Sequence, residues 1–189
     1  SRLNSLIKEF ESYMENFEFH KATKLWVNFV LEDLSRTYIK LIRDRVWITE
    51  KGKSKEAALS TLYRVLIDST KLLAPISPFV SEKIYQSLKK YEEKEKKSIF
   101  ESGFPKVGER FIDNKLEEEM EIVRKIVEAC HRARQQAKIK LRWPIKRICL
   151  EAKDKKVEEA AKKIQKLRQK SYMLSHSIYA HINKFFNYK

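Results

Sequence analysis

Glycine is scarce in this chain, 3 in 189 residues, and proline is little commoner at 4. A sheet-rich fold needs a turn about every 8 to 12 residues, so this shortage of chain breakers argues against one. The three glycines, Gly52, Gly103 and Gly108, are scattered, which leaves no Gly-rich loop to cradle the phosphates of a nucleotide. Cysteine is rarer still: Cys130 and Cys149 stand alone, with no CxxC or Cys/His cluster. A structural zinc or a disulfide framework is therefore not expected, and both thiols read as small core or half-buried groups. The histidines, His20, His131, His176 and His181, lack ligand spacing with carboxylates or thiols, so no metal site is expected. No run approaches the roughly 18 apolar residues of a membrane span, and the opening SRLNSLIKEF has no signal-peptide pattern. A soluble, cytoplasmic, monomeric protein without a membrane partner is the expectation.

What is abundant is charge. Charged residues make up 35% of the chain and hydrophobic ones 42%; the first figure exceeds the usual roughly 25% and marks long amphipathic helices with solvated faces. A chain of this size can bury roughly 70% of its unfolded surface, enough for a true core. Leu3, Leu6, Ile7, Phe10, Met14 and Phe17 follow helical spacing, and Asn16 to Phe19 reads as a corner into a longer helix from about His20 to Trp47. That second rod carries Ala22, Leu25, Trp26, Phe29, Leu34, Tyr38, Leu41 and Arg45 on one face. After a basic connection from Thr49 to Lys55, Ala58, Leu62, Val65, Leu66, Ser69 and Leu73 mark a third helix that Pro75 ends. Ser77 and Pro78 supply an N-cap and a first-turn proline for a fourth, through about Tyr91. Residues 92–97 read as a solvated helix end or loop and residues 98–112 as a long connection. Asp113 can cap a fifth helix.

The fold class predicted is mainly α: an antiparallel helix bundle over 1–144, followed by a small partial α+β appendage. The appendage starts at 145–170, where Ile148, Leu150 and Ala152 alternate like a strand and Val157, Ala160, Ala161, Ile164 and Leu167 suggest a helix. Residues 171–189 lose periodicity and carry no functional assignment. Acidic groups such as Glu32 with Asp33, or Glu117 to Glu119, belong to helix faces and caps rather than to acid–base chemistry. Asp33, Ser35 and Arg36 beside the apolar stripe suit a polar contact between helices.

The positive charge is concentrated. Between Arg124 and Arg147 there are nine Arg or Lys residues against one acid, Glu128, which is a surplus of eight within a net charge of +15. Cations at the end of a helix complement its dipole, but nine exceed that need. A focused field with Trp143 inside it offers phosphates a surface and an unpaired base a ring to stack on. Pro144 beside Trp143 equally suits a packing ring, and Trp47 at a helix end can pack in the same way.

Four blocks carry a family likeness: EDLSRTYIKLIRDRVW from Glu32 to Trp47, KEAALSTLYRVL from Lys55 to Leu66, LLAPISPFVSEKIYQ from Leu72 to Gln86, and DNKLEEEMEIVRKIVEACHRARQQAKIKLRWP from Asp113 to Pro144. In order and spacing they resemble the anticodon-binding region of isoleucyl-tRNA synthetases of the archaeal and eukaryotic type, and KLRWP favours the isoleucyl over the valyl and leucyl enzymes. The likeness covers about residues 1–150. It departs from the family at SIFESGFP, Ser98 to Pro105, where Phe100 and Phe104 replace His and Trp, and at Lys138, where glycine is common.

The resemblance implies a helical module that grips the anticodon arm of isoleucine tRNA and works beside a catalytic domain of the same synthetase. ATP and Mg would belong to that domain; KGKSK at Lys51 to Lys55 is not the KMSKS loop, and His181 begins HINK rather than H-x-G-H. No cofactor, no catalytic residue and no stand-alone enzyme activity are expected here. An anticodon loop needs cations for phosphates and flat groups for stacking. Lys138, Lys140, Arg142, Lys146 and Arg147 suit the phosphates, Trp143 and Arg134 can stack on or read the bases, and Arg132 belongs to the same RNA-binding set. A second strip, Arg36, Lys40, Arg43, Lys51 and Lys53, can follow the stem; the competing role for Arg43 and Arg45 is pairing with nearby acids. The alternative function is a basic helical interaction module that docks an acidic partner or synthetase domain.

Overall fold

A computed structural model describes residues 1–43, 45–47, 52–91 and 96–140, and among them there are helices and turns but no strand. The chain divides into two compact units, Ser1–Ile112 and Asp113–Lys189. The expected division at 144 and the α+β appendage lie outside the described residues.

Helix α1 spans Arg2–Glu15 and buries Leu6, Ile7 and Phe10, the stripe that helical periodicity requires. It ends at Asn16, whose side-chain amide donates to the Ser12 carbonyl at 2.8 Å. Phe17 then adopts a left-handed backbone, φ 58°. Around it the Phe17 amide donates to the Met14 carbonyl and the Glu18 amide to the Tyr13 carbonyl, a closure that satisfies the last carbonyls and turns the chain. Helix α2, Phe19–Asn28, packs back on α1. A corner this short makes the two antiparallel neighbours.

The second rod is not one regular α-helix. Phe29–Tyr38 is a π-helical segment, followed by α3, Ile39–Ile42, so helical structure stops short of the expected Trp47. The apolar spacing explains the wider turns. Ala22, Trp26, Val30, Leu34, Tyr38 and Ile42 recur every four residues, and at about 100° per residue such a row drifts by about 40° each step around an α-helix. A π turn, with its bonds reaching back five residues, winds more slowly and returns Leu34 and Tyr38 to the core face. The Thr37 hydroxyl marks the same reach, donating to the Glu32 carbonyl at 2.7 Å.

Helix α4, Lys53–Leu73, follows Gly52, whose φ of 134° is open to glycine alone among ordinary residues. It starts inside the connection read from the sequence, and so places Lys53 and Lys55 on a first turn. Leu6, Ile7, Phe10, Ala22, Phe29, Leu34 and Leu72 form one core. Polar bonds fix how the rods sit in it. The Trp26 indole N–H donates to the Ser69 carbonyl at 2.7 Å and the Tyr38 hydroxyl to the Ala58 carbonyl at 3.2 Å. Asp33 accepts from the Arg2 guanidinium at 3.0 Å, which is the interhelical polar contact expected of Asp33.

Helix α5, Pro78–Lys89, has Ser77 as its N-cap and proline in its first turn, although the Ser77 side chain makes no capping bond. A second core of Ile67, Ala74, Tyr85 and Ile99 joins α4, α5 and a 3₁₀ turn, Ile99–Glu101. Glu82 anchors that turn: its carboxylate accepts from the Gln86 amide at 2.6 Å, and from the Ser98 hydroxyl and the Ile99 amide, each at 3.0 Å. These donors, the Gln86 amide first, hold its carboxyl below the usual range. A further 3₁₀ turn, Glu109–Phe111, comes next in the chain.

In the second unit, α6 spans Asn114–Gln136, and the Asp113 carboxylate caps it by accepting from the Leu116 amide at 3.0 Å.

Replacing Trp26 by Phe keeps the ring in the core but removes its hydrogen bond to the Ser69 carbonyl. Denaturant unfolding should show a loss of about 1 kcal/mol. Glu82 makes acid stability testable as well. Because its folded pKa is depressed, its contribution is present above the ordinary glutamate value of about 4.3. It is lost as pH falls through the lower folded value, so Glu82→Gln should be less stable than wild type at neutral pH and converge with it in acid.

Candidate nucleic-acid interface

The cations of α6 divide into three groups once their partners are placed. Arg124 donates to Glu121 at 2.5 Å, and Lys125 lies 3.8 Å from the same carboxylate. Arg132 lies 3.9 Å from Glu128. These are pairs three and four residues apart on the helix surface, and they offset one another electrostatically although each contributes little stability. Glu121 sits just upstream of the run that begins at Arg124, so the positive field starts later than a count from Arg124 suggests.

Arg134 forms the second group alone. It is 4% exposed, and its guanidinium Nη2 donates to the Lys140 carbonyl. A buried guanidinium is not placed to stack on a base, so the expected stacking role does not fit its position. The sequence carries a sign of this. Ile126, Cys130 and Arg134 lie four apart on one face; Ile126 is buried, and burial pushes the Cys130 thiol up in pKa. Arg134 ends a stripe that begins at buried Ile126 and passes through half-buried Cys130.

Lys138 and Lys140 are the third group, and both are exposed. The helix stops beneath them by the closure already seen at α1. Lys138 is left-handed, φ 53°; its amide donates to the Gln135 carbonyl, and the Ile139 amide to the Arg134 carbonyl, each at 3.0 Å. This is the position where the family likeness leads one to expect glycine. A side chain there costs about 1 kcal/mol or more. Arg142, Trp143, Lys146 and Arg147 lie outside the described residues.

The second strip belongs to the first unit. Arg36, Lys40 and Arg43 are exposed, spaced four and three apart, and so share a helix face. Arg36 pairs with Glu32 at 2.5 Å with both side chains about half exposed or more. Lys53 is exposed on the first turn of α4, where the helix dipole disfavours a cation and would welcome an anion beside it. Lys51 lies outside the described residues. Between α3 and α4, Arg45 donates from Nε to the Ser54 hydroxyl and from Nη2 to the Ser54 carbonyl, each at 3.0 Å; the acids Asp44 and Glu50 lie outside the described residues. Lys55 donates to the Trp47 carbonyl at 3.1 Å. Trp47 itself is 61% exposed, not the packing ring its place at a helix end suggests.

In the loop where the sequence departs from the family likeness, Ser98 caps the turn that carries Phe100, and Phe104 meets Phe10 at a ring separation of 6.3 Å. Phe100 is exposed. Among the described residues no group of His, Cys, Asp or Glu could hold a metal ion, and no helix is long and apolar enough to cross a membrane.

Residues 1–150 match the family model described as the anticodon-binding domain of tRNA ligase. The chain is 46% identical over 168 residues to the isoleucine–tRNA ligase of Pyrococcus abyssi, a match that covers 88% of this chain and 16% of that relative. It is 42% identical over 169 residues to the isoleucine–tRNA ligase of Methanosarcina mazei, covering 89% and 16%. Against that of Methanothrix thermoacetophila it is 46% identical over 151 residues, covering 79% and 14%. The chain thus spans about 14 to 16% of the length of these curated relatives.

The strain at Lys138 predicts a gain on its removal. Lys138→Gly should raise stability by about 1 kcal/mol, read from denaturant unfolding followed by far-UV circular dichroism.

Proposed function

The chain belongs to the anticodon-binding domain family of tRNA ligases, and from that premise we propose that it is the part of an isoleucine–tRNA ligase that grips the anticodon arm of isoleucine tRNA. The observation that carries the specific reading is the likeness to archaeal isoleucine–tRNA ligases across nearly the whole chain. The exposed lysines at the end of α6, Lys138 and Lys140, support it from the physical side. A phosphate backbone attracts solvated cations that cluster at one place on the surface.

In this reading Lys138, Lys140, Arg142, Lys146 and Arg147 serve loop phosphates, Arg132 joins the RNA-binding surface by giving up its exposed pairing with Glu128, and Trp143 stacks on a splayed base. Arg36, Lys40, Arg43, Lys51 and Lys53 follow the stem, with exposed Trp47 beside them. Amino-acid activation, with its ATP and Mg, belongs to ligase segments outside this chain, whose catalytic domain is the second partner. The module works in the cytoplasm as a monomer.

Binding to an RNA hairpin of the isoleucine tRNA anticodon arm should weaken with salt at a log–log slope of roughly −0.7 per loop phosphate contact, about −3.5 for five. A changed anticodon should bind more weakly at a similar slope. Equal affinity for both hairpins would reduce the module to a nonspecific basic surface, and a flat salt response with capture of an acidic protein would favour a protein-docking role.

A further inference from the structure

Lys138 and Lys140 can meet phosphates only if the short segment that carries them holds its direction, and one residue grips that segment from two sides. The Arg134 backbone carbonyl accepts from the Ile139 amide at 3.0 Å. Its guanidinium donates to the Lys140 carbonyl. Arg134 is the cation between Arg132 and Lys140 whose side chain is withdrawn from solvent, while Arg132, Lys138 and Lys140 are exposed. Burying a guanidinium has a desolvation cost, and stopping a helix does not require it, since the two backbone bonds around a left-handed residue already do so. Helix termination alone therefore does not account for the side-chain bond to the Lys140 carbonyl.

The geometry points to Arg134 as a positioning residue for RNA binding. By tying the Lys140 carbonyl to the end of α6, it sets the directions in which the Lys138 and Lys140 ammonium groups leave the backbone, and it touches neither phosphate nor base itself. This rests on the reading of the chain as an anticodon-arm binder. The physical gain is preorganisation. A lysine on a frayed helix end loses backbone freedom as well as side-chain freedom when it meets a phosphate, whereas on a held turn the backbone share is lost beforehand. The guanidinium is suited to the task because it is a planar fork of N–H donors.

The test uses the 189-residue chain with Arg134→Met, Arg134→Lys and the double change Lys138→Ala/Lys140→Ala, alone and combined. In Arg134→Met the hydrogen-exchange protection of the Ile139 amide should fall by about tenfold, the size of one lost charge-assisted bond. Affinity for the anticodon-arm hairpin should fall by roughly threefold to tenfold. Arg134→Lys, which keeps a donor, should recover part of both, and it carries the test if the methionine variant does not fold. In the double-lysine background Arg134→Met should have no further effect on binding. Unchanged Ile139 protection, or a binding loss that simply adds to that of the lysines, would overturn the positioning role. An additive loss with a slope shallower by about 0.7 would make Arg134 a direct phosphate contact instead. If wild type binds and Arg134→Met binds equally well, this inference alone fails; if wild type shows no salt-dependent binding, the anticodon-arm reading fails with it.

Discussion

A helix in this chain has to be stopped by residues that resist stopping it. With so little glycine, two helices end on residues forced into the left-handed backbone region, Phe17 after α1 and Lys138 after α6. Each is held by the same pair of backbone bonds, one reaching back three residues and one reaching back five. The strain is about 1 kcal/mol or more at each site. Both units of the molecule are shaped by it. At Phe17 the reversal lays α2 against α1, so that Phe10 and Ala22 can share a core. At Lys138 it breaks the helix where a cluster of exposed lysines begins.

The electrostatics of α6 derive from the same ending. Along the helix, acids recur three or four residues before the bases, and Glu121 and Glu128 draw Arg124, Lys125 and Arg132 into surface pairs. Lys138 and Lys140 stand exposed at the end of a rod whose last carbonyls already carry partial negative charge. The field offered to an approaching anion is set as much by where the helix stops as by how many cations the chain holds.

Much of this is legible in the residues. The stripe of α1, the corner at Asn16 to Phe19, the proline start of α5 and the Asp113 cap of α6 all rest on local chemistry that sequence spacing reports directly. The π turns between Phe29 and Tyr38 escape such a reading, because an apolar repeat of four looks like an α-helix unless its drift is followed over several turns. Lys53 looks like a loop residue because the basic run around Gly52 hides a helix start; only the φ of Gly52 shows where α4 begins. The burial of Arg134 escapes for a different reason. A charge count treats every guanidinium as solvated, and only its place in line with buried Ile126 and half-buried Cys130 marks it as turned inward. Trp47 misleads in the opposite direction, since a tryptophan at a helix end reads as packing and this one is exposed. Which cations share a face, and which carry an acid beside them, is a matter of residues three and four positions away rather than of the run itself.

The proposal that exposed cations at the end of α6, with a second strip on the face of Arg36, Lys40 and Arg43, hold the anticodon arm of a tRNA is tested most directly by hydroxyl-radical footprinting. Full-length isoleucine tRNA footprinted with this chain reports where on the RNA the protein lies. Protection confined to the anticodon loop and its stem is the predicted result. Protection of the acceptor arm, or a faint footprint spread evenly over the whole molecule, would contradict it.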